Sequence, residues 1–288
     1  MKHQKDIFIT KASGELVPYS EEKLQHSLMK AGATDAQVKE ILHDISGKLY
    51  PGISTKKIYR LAFNNLRNSS GPLAAKYHLR RAIMELGPSG YPFENFIGEL
   101  LKHLGYIVSV GEVVKGNCVN HEIDVIAHSN NHHFMIECKY HNQQGIICDV
   151  KIPLYIQSRF KDVETEWVKL PGHTNLIHQG WVVTNTKFSD DAIKYGNCIG
   201  LKLLSWDYPI KNSLKDMIDS LGLYPVTCLT TLTRSEKQKL LEKKIVLCKQ
   251  ICNDEKTLYD IGMNASRIKK VMEEGRQLAA SLEKTAKV

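Results

Sequence analysis

The chain has 288 residues, 42% of them hydrophobic and 24% charged, a composition that suits a soluble globular protein of two or three domains and excludes a disordered or fibrous chain. No apolar run approaches a membrane span, and the opening residues MKHQKDIFITK lack the apolar core and cleavage site of a secretory leader, so the sequence predicts a cytoplasmic protein without a membrane partner. The net charge is +8, and from Leu229 to Val288 there are 13 Lys and Arg against 8 Asp and Glu. That tail suits a phosphate-bearing partner, or equally a solvated, lysine-rich helical surface. Seven cysteines without a CxxC pair fit reduced, packed thiols; Cys248 and Cys252 share a helix face, but no second pair completes a zinc tetrahedron.

In chain order, the first block opens with a strand at IFIT, a turn at Gly14 and a second strand at Glu15-Leu16-Val17. Ser20 then caps a helix with Leu24, Leu28 and Met29 on its apolar face. Thr34 or Asp35 caps the next (Val38, Ile41, Leu42, Ile45), Gly52 breaks the run, a third starts near Thr55, and a fourth runs from Leu73 to Leu86. The stretch GPSGYP, 87 to 92, reads as a boundary. A helix follows with Phe93, Phe96, Ile97, Leu100, Leu101 and Leu104 inward, then strands at Ile107–Val110, Glu112–Lys115, Glu122–Ala127 and Phe134–Cys138, a helix around Ile152–Val163, a strand at Gly180–Thr184, a helix capped by Ser189 and a last strand at Leu201–Leu204. This order predicts an α/β fold, α+β overall, with a mixed sheet flanked by helices. The remainder is helical by period: Leu214, Met217, Ile218 and Leu221; Leu240, Leu241, Ile245 and Val246; Ile268, Val271 and Met272. Three domains are expected: 1–88, 89–210 and 211–288.

The chemistry-bearing stretch is EIDVIAHSNNHHFMIECKY, 122 to 140. With a two-residue period, Glu137 and Lys139 share one strand face, and pairing with the strand of Asp124 brings a second carboxylate toward it. Carboxylates held close repel unless a cation lies between them, and hard oxygen ligands suit Mg²⁺ or Mn²⁺. An ammonium beside them can position water or offset charge building on a phosphate, so the set points to metal-assisted hydrolysis of a phosphodiester. A solvated strand edge explains the same spacing, but the apolar neighbours Val125, Ile126, Met135 and Ile136 place these acids within core strands. His121, His128, His132 and His133 crowd the region and read as solvated turn residues, with metal ligation the lesser alternative. His141 and Gln144, just after Lys139, read as facing substrate.

Asp124 followed by Glu137-Cys138-Lys139 resembles the PD-(D/E)xK nucleases. FENFIGELLKHLGY and GWVVTNTKFSDDAIKYGNCIGLKLLSWD are similar to passages of the Mrr-like restriction endonuclease branch, over about residues 91 to 208. The resemblance implies a restriction-endonuclease-like sheet. It makes Asp124 and Glu137 metal ligands, the Cys138 backbone carbonyl a third ligand and Lys139 the catalytic lysine, and it places Glu94 beside the metal, where helix capping serves equally well. No proline precedes Asp124, and Glu122 offers a second acid on its face.

Residues 6 to 86 resemble an ATP-cone domain through I-T-K-x-x-G-x-x-V-P-Y-S-x-x-K-L, then I-S-T-x-x-I and A-x-Y-x-L-R-R. This implies ATP or dATP as an allosteric ligand contacted by Ile9, Lys11, Lys23 and Thr55, with Ala12 standing where a basic residue is common. On the residues alone, Lys11 and Lys23 suit a polyphosphate near a helix N-terminus, or a plain surface hairpin. The last helices resemble helix-hairpin-helix DNA-binding units with Gly262 in the second turn, or else form a packing or dimerisation bundle. The expectation is an ATP-responsive, Mg²⁺-dependent DNA endonuclease of the type IV restriction kind, in which a homodimer would supply two sites. The alternative is a nucleotide-sensing DNA-binding regulator that does not cut.

Overall fold

The computed structural model describes residues 7–11, 13–129, 131–143, 145–173 and 176–280. Ala12 and Gln144, both singled out in the sequence, lie outside them. The chain divides into two compact units, one of residues 1–80 with 228–231 and the other of residues 81–227 with 232–288.

In the first unit β1 (Phe8–Thr10) pairs antiparallel with β2 (Leu16–Pro18), Ile9 facing Val17. Three helices follow from local capping: α1 (Glu21–Lys30), α2 (Asp35–Ser46) and α3 (Thr55–Ser69). Ser20 and Ser54 each accept from the backbone N–H three residues on, and Thr34 forms a reciprocal box with Gln37. The helical period then buries Leu24, Leu28, Val38, Ile41, Ile45, Ile58, Ala62 and Leu66 in one core, with Ile9 from the hairpin and Ala74 from α4 (Gly71–Met84). Met29, expected inward, is exposed at the edge of its helix face.

In the second unit α5 (Tyr91–His103) begins inside the stretch read as a boundary, with Pro92 in its first turn where a missing N–H costs nothing. The sheet follows: β3 (Ile107–Lys115), β4 (Asn120–His128), β5 (His132–Lys139), β6 (Ile147–Cys148), α6 (Lys151–Trp167), β7 (Ile177–Thr184), β8 (Lys187–Phe188), α7 (Asp190–Ile199) and β9 (Lys202–Leu204). Five strands form one mixed sheet in the order β3-β4-β5-β7-β9, antiparallel from β3 to β5 and parallel from β5 to β9; β6 and β8 make a separate parallel pair. The two strands read before and after Gly111 are one strand. Gly111, at φ +73, takes the bend without ending the pairing, which runs from Ile107↔His128 to Lys115↔Asn120.

Val110, Val125 and Ile136 are aligned across β3, β4 and β5, and α5 lies against them: a Cβ on Gly98 would come within 2.9 Å of Val110 Cγ2. The alternate residues Met135, Val182 and Leu203 pack with Ile156, Phe160 and Val163 of α6 and Ala192 of α7. Helices therefore cover both faces, and β5, a central strand, is buried from His133 to Cys138. The remaining helices are α8 (Leu214–Leu221), α9 (Arg234–Glu242), α10 (Cys248–Ile251), α11 (Glu255–Asp260) and α12 (Ala265–Ala280). The helix expected to carry Ile245 and Val246 stops at Glu242, because Lys244 turns the chain at φ +61. Cys248 and Cys252 are buried thiols donating to the backbone carbonyls of Pro225 and Cys248. Among the described residues no helix is long and apolar enough to cross a membrane.

Candidate functional site

The acids of the sequence motif meet where β4 and β5 diverge. Their pairing runs from His128↔His133 to Val125↔Ile136, and one step further the Asp124 carboxylate, rather than a backbone carbonyl, accepts the Cys138 N–H at 2.6 Å. Glu137 is 5% exposed and bound at both oxygens, to Lys139 Nζ at 2.6 Å and to Arg159 Nη1 of α6 at 2.5 Å. Arg159 also donates to the Glu122 carbonyl and, through Nε, to His121 Nδ1 at 3.5 Å. His121 is thus no solvated turn residue; its Nε2 meets Asp162 Oδ2 at 2.7 Å. Glu122 itself is exposed, and Glu94 reaches the cluster from the first turn of α5.

The charges sort these acids into two kinds. Burial, and then the negative charges of Asp124, Glu122 and Glu137, push Glu94 up to about 7. Burial and then Glu137 push Asp124 up to about 6, although the Cys138 N–H, Lys139 and Arg159 pull the other way. Glu137 already has two cations against it; Asp124 and Glu94 crowd it without a cation of their own. Asp124, Glu137 and the Cys138 carbonyl are the oxygen donors the sequence named, of the type a hard divalent ion takes, and both Glu137 oxygens are here bound to Lys139 and Arg159. The Cys138 thiol is buried, its pKa raised by burial, and it offers no thiolate.

The segment leaving β5 is fixed by the end of the neighbouring parallel strand β7 and the residue after it. Thr184 Oγ1 donates to the Lys139 carbonyl at 2.7 Å, while Asn185 accepts from His141 N at 2.8 Å and donates to its carbonyl at 2.7 Å. Both side chains are essentially unexposed. His141 has its Nε2 3.3 Å from Cys148 Sγ, so it is anchored inward. Arg159, Thr184 and Asn185 were not named as site residues. The T-N pair was visible in the sequence, but Arg159 gave no signal, since nothing local sets the register of a helix on a sheet.

In the first unit, Ile9, Lys11, Lys23 and Thr55 all line one cavity of about 260 Å³ with Val17, Tyr19, Ser27, Tyr59 and Tyr77. Tyr59 and Tyr77 stack at 5.0 Å, and burial followed by the Glu21 charge pushes Tyr19 up to about 12. Lys11 is exposed and paired with Glu15 at 2.8 Å, while Lys23 sits in the first turn of α1. Two ammonium groups at the mouth of an aromatic-walled cavity suit a phosphorylated, ring-bearing ligand.

Comparison with known proteins identifies two segments of the chain. An ATP cone domain matches residues 7–85, and the family described as "AF1548-like, C-terminal" matches residues 224–279. An uncharacterized protein of Archaeoglobus fulgidus is 36% identical over 183 residues, covering 63% of this chain and 99% of that protein. A crystal structure described as a protein of unknown function, AF1548, aligns with a TM-score of 0.56 at 33% identity, covering 67% of this chain and 100% of its own. The chain therefore belongs to the AF1548-like family and carries an ATP-cone domain, a nucleotide-binding module, at its N-terminus.

Proposed function

We propose that this protein is an ATP-responsive, divalent-metal-dependent DNA endonuclease of the restriction type, with its mixed sheet a restriction-endonuclease-like, Mrr-like PD-(D/E)xK core. One observation carries the reading: Asp124, Glu137, Lys139 and Glu94 share one electrostatic cluster in which two of the acids are held above their ordinary pKa. A purely structural strand gains nothing from that arrangement, because each crowded carboxylate costs stability. A Mg²⁺ or Mn²⁺ ion held by Asp124, Glu137 and the Cys138 carbonyl would supply Lewis acidity and a more acidic water.

The chain's own groups do the rest. Lys139, 2.6 Å from Glu137, is placed to offset charge developing on a scissile phosphate. Arg159 holds the other Glu137 oxygen, so the ligand carboxylate is oriented before any substrate arrives. Thr184 and Asn185 fix the backbone after Lys139 and so its reach. DNA is the substrate favoured by the basic C-terminal segment, where α11, a left-handed Gly262 at φ +92 and α12 follow one another as in a DNA-binding helical hairpin.

A second reading, a nucleotide-sensing DNA-binding regulator, draws support from the two cations that already neutralise Glu137. Cutting of supercoiled plasmid separates the two, assayed with Mg²⁺ or Mn²⁺, with and without ATP and dATP, on methylated and unmethylated DNA. The nuclease reading expects metal-dependent cleavage that falls about 100-fold or more in Glu137→Ala and in Lys139→Ala. Intact DNA binding with no cleavage on any substrate would instead support the regulator.

A further inference from the structure

The opposite end of the same strands holds a second cluster. His133 near the start of β5 and His178 at the start of β7 are register partners, about 13 Å along β5 from Glu137 at the rise of an extended strand. His173, on the connection from α6 to β7, completes the group. Ring centroids lie 4.9 Å apart for His133 and His173, 5.4 Å for His133 and His178, and 5.7 Å for His173 and His178. One nitrogen from each ring falls within 4.8 Å of the other two, and no other trio of metal-capable side chains does so among the described residues. Trp167 stacks on His133 at 3.9 Å and fixes that ring.

Packing alone does not account for these rings. His133 is 7% exposed, yet its Nδ1 has no hydrogen-bond partner, nor do the buried His173 Nδ1 and both ring nitrogens of His178. Buried polar atoms are ordinarily satisfied, and here four imidazole nitrogens on three converging rings are not. Burial, with the neighbouring imidazoles, also pushes His133 down to about 4 and lowers His178; an approach to the His173 backbone that falls short of hydrogen-bond geometry partly offsets the second. Rings held neutral keep a lone pair free, which is the form that ligates metal.

We propose that His133, His173 and His178 bind one borderline divalent transition-metal ion of the Zn²⁺ type. Three imidazoles leave a fourth position to water, and nitrogen donors favour Zn²⁺, Co²⁺ or Ni²⁺ over the Mg²⁺ that carboxylates prefer. The ion ties the connection after α6 to the first residues of β5 and β7, and so fixes the end of the sheet remote from the acids.

The test uses the full-length protein, purified without a polyhistidine tag and stripped with chelator. It is titrated with Co²⁺ followed by visible absorption and with Zn²⁺ by calorimetry, both in excess Mg²⁺. One equivalent should bind, with a cobalt ligand-field spectrum and a higher Tm. His173→Ala and His178→Ala should each weaken binding by more than about tenfold, the scale on which even outer-shell partners act, with unchanged circular dichroism. Glu137→Gln should bind as wild type, which separates this site from the acidic one. Absence of saturable one-to-one binding, undiminished affinity in both histidine variants, or loss of binding in Glu137→Gln would overturn the assignment.

Discussion

Asp124 and Glu94 are acids that the fold holds against their own ionisation. Their folded pKa values, about 6 and about 7, lie above the ordinary 3.8 and 4.5, so the charged forms are the costly ones. The cost is present at high pH and disappears as pH falls through the folded values toward the unfolded ones. Asp124→Asn, which keeps an acceptor for the Cys138 N–H, should therefore stabilise the metal-free protein by about 1–2 kcal/mol at pH 8, after allowance for partial solvent access. The gain should fade below pH 6 in urea titrations across pH, and a constant gain would mean that the crowding is absent. His133 acts with the opposite sign: its folded value lies below 6.5, so the neutral ring is favoured and stability is lost as pH falls from 6.5 toward 4. Much of the acidic site was legible from period two alone, since Glu137 and Lys139 must share a face and Asp124 lies on a strand that can pair beside them. Arg159, His173 and His178 were not, because their meeting depends on helix-to-sheet register and on parallel pairing across a connection more than 30 residues long. His133, expected in a polar turn, is buried because β5 starts at His132 and pairs centrally.

At the scale of the element, α5 delivers Glu94 to the acids and is seated by a glycine. Gly98→Ala places a methyl 2.9 Å from Val110 Cγ2, on a branched side chain that cannot swing freely, and should destabilise by about 1–3 kcal/mol as overpacking does. Cleavage, on the proposed function, should fall as well, because displacing α5 moves Glu94 relative to Asp124. A substitution neutral in chemical denaturation would show that α5 is seated loosely. Helix starts were readable because Ser20, Thr34 and Ser189 cap through contacts three residues away, wholly within the local sequence. Ends were harder. Lys244 ends its helical segment from a left-handed conformation that lysine does not advertise, and Gly111 reads as a breaker although a strand can bend there and continue.

For the whole molecule, the order of elements was legible, a hairpin with helices followed by a mixed sheet and short helices, because each alternates its apolar residues with its own period. How nucleotide binding would act on the proposed cleavage was not, since coupling is a free-energy difference between states and leaves no local pattern. In the first unit, Lys23→Ala should weaken ATP binding about 10-fold or more, the loss of a charge-assisted phosphate contact, measured by calorimetry. Nucleotide-free cleavage should be unchanged, and ATP binding that survives both Lys23→Ala and Thr55→Val would remove this cavity as the nucleotide site.

Whether the cluster of Asp124, Glu137 and Lys139 cuts DNA is decided by following DNA binding and single-turnover cleavage in the same samples, with Mg²⁺, for wild type and Lys139→Ala. On the proposed function, both proteins bind DNA with similar affinity while only the wild type cleaves at an appreciable rate. Binding without cleavage by the wild type, or equal cleavage by both proteins, would contradict it.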